Sequence, residues 1–87
     1  MINEKQAELS HKLYKQLKQK FPEIELADIC ESPISPDSIW VNIIYPEDED
    51  REIEMQELAG KISYDILVKY GYHIIIGSAA KPAKQPA

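Results

Sequence analysis

Three groups of residues carry types that could do chemistry. The first is the run Glu47, Asp48, Glu49, Asp50 and Glu52, interrupted only by Arg51. Carboxylates this dense offer the hard oxygens that a divalent cation prefers. They also offer a docking patch for a basic partner. They equally suit the first turn of a helix, where each acid complements the dipole by about 0.3–1 kcal/mol. A calcium loop needs a glycine at its sharp turn, and this run has none. The residues therefore favour a helix start, capped by Asp48 or Asp50, with a docking patch as the functional alternative and no metal site.

The second group is Cys30 and His73, the residue types of a thiol nucleophile and its base. Asp28 and Glu31 flank the cysteine, and neighbouring negative charge keeps a thiol protonated. A buried structural cysteine is the simpler reading, with His73 at a strand edge and His11 solvated. The third group is Lys5, Lys12 and Lys15 in a lysine-rich segment opposed by one acid, Glu8. These are candidate phosphate contacts. The segment holds no arginine, the side chain best shaped for bidentate phosphate recognition, so a solvated helix surface is the alternative.

These groups must be positioned by secondary structure. Leu9, Leu13 and Leu17 recur every four residues and Phe21 continues the row, which predicts an amphipathic helix over "NEKQAELSHKLYKQLKQKF". Asn3 is its expected N-cap, Gln6 completes a capping box, and Pro22 ends it. "EIELADIC" alternates as a strand until Ala27, where the phase slips and a bulge is expected. "SIWVNIIY" is a strand apolar on both faces: Ile39, Val41 and Ile43 on one, Trp40 and Ile44 on the other, with Asn42 between them. Met55, Ala59, Ile62, Ile66 and Tyr70, widened by Leu58 and Leu67, predict a second helix from about Asp50 to Tyr70. Gly60 inside it suggests a close helix–sheet approach, and Gly71 its left-handed stop. "YHIIIGS" is a third strand. Residues 79–87 form a short polar tail with prolines, expected to be disordered.

Helix, strand, strand, helix, strand gives an α+β domain over residues 1–78. Its three-stranded mixed sheet should carry both helices on one face, with the second and third strands parallel across the second helix. The opposite face then presents Trp40, Asn42 and Ile44 with nothing obvious to cover them. Trp40 is an interaction anchor or is covered by the first helix or the tail. Asn42 should find a backbone or dimer-mate hydrogen bond, because a buried unpaired amide costs a few kcal/mol. Tyr45, Tyr64, Tyr70 and Tyr72 read as core packing before they read as a stacking platform for bases.

Composition narrows the function classes. The chain has 87 residues, enough for one domain. Its net charge of -5 disfavours non-specific binding to nucleic acid or anionic membranes. The single cysteine allows no disulfide within the chain and no zinc spacing, which suits a reducing compartment. With no signal peptide or membrane span visible, the expected location is the cytoplasm.

In layout, "QKFPEIELADI" followed by "SPDSIWVNIIYPEDEDREIEMQELAGKISYDILVKYGYHIII" resembles the minimal nucleotidyltransferase fold of the DNA-polymerase-beta type, over roughly residues 10 to 78. "PDSIWVNII" stands where that family opens its second strand with Asp-x-Asp for the metal. This chain has "CESPIS" in place of the Gly-Ser turn and only Asp37 in place of the two carboxylates. Phosphoryl transfer needs carboxylates to hold its metal ions, so the resemblance implies a catalytically inactive relative that binds a nucleotide or a nucleotidyltransferase partner. The layout is also similar to the RNA-binding KH type, whose Gly-x-x-Gly loop cannot be formed by Gly60 and Gly71. The residues themselves predict a non-catalytic interaction domain without a cofactor. It should dimerise or dock a protein through its uncovered sheet face, with RNA binding by the lysine face as a further alternative.

Overall fold

The computed structural model describes residues 2–35 and 37–79. Five elements follow one another: α1 (Glu4–Lys20), β1 (Glu25–Glu31), β2 (Ser38–Ile44), α2 (Glu49–Tyr70) and β3 (His73–Ser78). The order is the expected one. The boundaries move slightly: β1 starts at Glu25, two residues later than the alternation suggested, and α2 starts at Glu49. The predicted tail lies outside the described residues except for Ala79, whose N–H donates to the Ile43 carbonyl at 2.9 Å.

Local chemistry explains each helix. At α1 the Asn3 side chain accepts from the Gln6 N–H at 2.7 Å, and the Gln6 side chain accepts from the Asn3 N–H at 3.0 Å. Two otherwise orphaned amide donors are thus satisfied reciprocally. Leu9, Leu13 and Leu17 are buried along one face, and Phe21 closes the helix. Ser10 is buried with them, its hydroxyl donating to the Gln6 carbonyl at 2.8 Å. Gly71 ends α2 at φ 78, the left-handed conformation that glycine adopts without a Cβ penalty.

The sheet runs β1-β2-β3, antiparallel between β1 and β2 and parallel between β2 and β3. β2 is central, as its two apolar faces implied. Leu26 lies opposite Ile43, but Asp28 lies opposite Asn42, so Ala27 is the extra residue of a bulge. Ile39, Val41 and Ile43 are buried against the helices, together with Ile24, Met55 and Ile74. Fully burying one such side chain contributes about 1.5–3 kcal/mol. α1 packs on β1 and β2, α2 packs on β3, and the helices touch.

The second helix departs from its predicted stripe. Met55, Ala59 and Ile66 are buried, while Leu67 and Tyr70 at its far end are exposed. The sheet beneath is only three strands wide, so it covers a narrower arc of the helix than the apolar residues span. Gly60 is also corrected. No atom outside its own helix turn lies within 4 Å of where its Cβ would be. It faces open space, not the sheet.

Candidate interaction face and the predicted site residues

Side chains alternate along β2, so Ser38, Trp40, Asn42 and Ile44 point away from the helices. The strand registers fill in the rest of this face. Cys30 and Ile75 flank Trp40, Asp28 and Gly77 flank Asn42, and Glu25 stands beside Ile44. Trp40, Asn42 and Ile44 are all half-buried, shielded by neighbours on the same face.

Asn42 is held from both sides. Its Nδ2 donates to Asp28 Oδ1 at 2.6 Å and lies 3.5 Å from Cys30 Sγ. On the other side a Cβ at Gly77 would stand 2.5 Å from Asn42 Oδ1 and 3.9 Å from the Trp40 ring. The missing side chain at Gly77 is therefore the seat of the Asn42 amide. The expected partner was a backbone group or a dimer mate; the bulge supplies Asp28 instead. Were Ala27 to take a regular place in the ladder, it would pair with Asn42 and Asp28 would fall opposite Val41, on the buried side.

Cys30 and His73 do not meet. They sit on the two outer strands with β2 between them. Cys30 is half-buried, not fully buried. His73 Nδ1 instead lies 2.7 Å from Ser38 Oγ, and Ser38 is buried. This hydroxyl–imidazole pair ties the starts of β2 and β3 together. Asp37, at the place where the resembled family keeps its metal carboxylates, is exposed in the turn before β2.

The acidic run is a helix N-terminus. Asp48 is the N-cap, its carboxylate accepting from the Arg51 N–H at 3.2 Å, and Glu49, Asp50 and Glu52 occupy the first turn. Glu47 precedes them on the surface. Arg51, the one base in the run, reaches back across the molecule. Its Nη2 donates to Glu23 at 3.0 Å and to the Lys20 carbonyl at 3.1 Å, and its Nε donates to the same carboxylate. Its guanidinium also lies 4.9 Å from the centre of the Phe21 ring. The hydrogen bonds from Arg51 hold the Glu23 carboxyl below its usual range, and the same pair raises Arg51. Burial, with Glu52 nearby, pushes the Tyr45 phenol up. Among the described residues no three His, Cys, Asp or Glu side chains converge to hold a metal ion.

The three lysines are not brought to one site. Lys5 lies over the Tyr70 ring at 4.9 Å and 3.9 Å from Glu8. Lys12 lines a cleft of about 130 Å³ between the helices, which Asp65 and Lys69 also border. Lys15 is exposed. The tyrosines divide as well: Tyr45 and Tyr72 pack against the core, whereas Tyr64 and Tyr70 are exposed and fall outside the predicted core packing.

Comparison of the chain with protein-family models, with characterised proteins and with solved structures returns no significant match. Among the described residues no helix is long and apolar enough to cross a membrane.

Proposed function

We propose that the chain is a non-catalytic interaction domain. Its open sheet face docks a segment of another protein that is apolar at its centre and basic at its rim. The observation that carries this reading is the placement of Trp40 and Ile44, only half-buried on the side of the sheet opposite both helices. Tryptophan is enriched among the residues that dominate binding energy, because a large ring is desolvated with few rotors to freeze. Glu25 and Asp28 border the apolar centre on the β1 side, so a partner's Lys or Arg would meet opposite charge there.

A displayed random-peptide library tests this directly. Selection on the wild-type chain, with counter-selection on Trp40→Ala, should enrich peptides that combine apolar and basic residues. Their affinity should fall about 10-fold or more on Trp40→Ala and on Ile44→Glu. A library that yields no peptide distinguishing wild type from Trp40→Ala would overturn the proposal.

A further inference from the structure

We infer that two copies of this chain pair through β3 and the neighbouring flank of α2, forming a two-fold dimer with a continuous six-stranded sheet. The inference goes beyond the docking face and stands without it.

The first observation is the edge itself. Among the described residues no strand pairs with the far side of β3. Its sequence, His73 to Ser78, contains no Asp, Glu, Lys, Arg or Pro. Those are the residues with which edge strands ordinarily discourage pairing. Backbone amides alternate sides along a strand. Ala79 donates to β2, so the amides of Ile75 and Gly77 turn the same way and those of Ile74 and Ile76 turn outward. Two antiparallel copies related by a two-fold axis beside Ile75 would bond Ile74 to Ile76 of the partner in both directions. The two Ile75 side chains would then meet on the open face. No charge is brought opposite a like charge.

The second observation lies on α2. The cleft beside α1 is lined by Ile62, Asp65, Ile66 and Lys69, which fixes one flank of the helix. At 100° per residue the other flank carries Ile53, Gln56, Gly60, Ser63, Tyr64 and Leu67. None is charged. Ile53, Tyr64 and Leu67 are exposed at 55%, 66% and 41%, and Gly60 has open space around it. This flank faces the β3 side, because α1 occupies the β1–β2 side and α2 packs on β3.

One symmetry operation satisfies both surfaces. A two-fold that pairs β3 antiparallel also lays the two α2 helices antiparallel on the same side of the sheet. Their small residues Gly60 and Ser63 then permit the close axial approach that packed helices need. The acidic start of each helix comes beside the C-terminal end of the other, so the dipoles oppose favourably. A six-residue strand pair alone falls short of the roughly 1,000 Å² of a specific interface. The 22-residue helix beside it, about 33 Å long, supplies the remaining contact. An unrelated partner would have to match the strand and the helix flank separately, whereas a second copy matches both at once.

Light scattering on the eluting chain should report twice the 10.0 kDa chain mass at micromolar concentration. Gly60→Glu should weaken self-association about 100-fold or more by placing charge in the helix contact. The same change should leave the melting temperature of the monomer equal or higher, since glycine is the weaker helix former. Amide exchange of Ile74 and Ile76 should be slow and concentration-dependent in wild type and fast in Gly60→Glu. Trp40→Ala should keep the dimer while losing the selected peptides, so the two proposals fail separately. A monomeric wild type, a Gly60→Glu chain that stays dimeric, or a dimer broken by Trp40→Ala alone would each overturn the inference.

Discussion

β1 and β3 are both edge strands of the same sheet, and they are made of different material. β1 carries Glu25, Asp28 and Glu31, and the extra residue at Ala27 bends it. β3 carries three consecutive isoleucines and no formally charged side chain. Charge and a bulge are two standard means of making an edge unfit to pair. β1 has both, and β3 has neither. The difference teaches that the open face and the open edge are separate properties. On the proposed reading the charged β1 borders the docking face, while the apolar β3 is the edge that takes another strand.

The largest way to break this contrast is to disarm β1. Replacing Glu25, Asp28 and Glu31 with Thr and deleting Ala27 gives a regular, uncharged strand whose remaining residues keep their alternation. With two permissive edges, each copy can pair on both sides, and light scattering should show species larger than dimers that grow with concentration. Retention of a single dimer mass would show that charge and bulge are not what limits β1. The converse change, Ile75→Lys, arms β3. It should abolish the dimer and leave the circular dichroism of the helices unchanged.

Smaller effects sharpen how each outer strand is anchored. Gly77→Ala crowds the Asn42 amide from the β3 side and should cost about 1 kcal/mol of stability in urea melts, the low end of overpacking. At the β1 end the relevant group is Glu23. Its carboxyl is held below the usual value of 4.5 by Arg51. A depressed acid contributes stability that is fully present above its unfolded value. That stability is lost as the pH falls from about 4.5 through the lower folded value. Glu23→Gln should therefore flatten the stability profile in that acid window and leave its shape near neutral pH unchanged. Thermal melts between pH 2.5 and 7 measure this, and an unchanged acid limb would show the pair to be inert.

Much of this architecture was legible in the residues, because it depends on local periodicity. The Leu9, Leu13, Leu17 row, the Asn3–Gln6 box, the phase slip at Ala27 and the Gly71 stop all report short-range geometry, and the structure has each one. What escaped depends on separation in sequence. Arg51 and Glu23 are 28 residues apart, and Ser38 and His73 are 35. No local pattern marks either pair. Asn42 was recognised as needing a partner, but Asp28 becomes that partner only through the shift at Ala27. Gly60 was misread because a helix glycine signals close approach without saying to what. The apolar residues Leu67 and Tyr70 satisfied the helical period equally well whether buried or exposed, since the period fixes a face and not the width of the surface it meets.

Arg51 has a consequence for how the molecule comes apart. One guanidinium joins the last carbonyl of α1, Glu23 in the connection to β1 and the first turn of α2. Helix ends ordinarily fray independently, with opening free energies close to zero. Unwinding the end of α1 at Lys20 breaks a hydrogen bond to Arg51 in the first turn of α2, so the two distant frays are expected to be coupled. Replacing Arg51 would uncouple them. Native-state exchange should then resolve two separate protection levels where the intact chain is expected to show one.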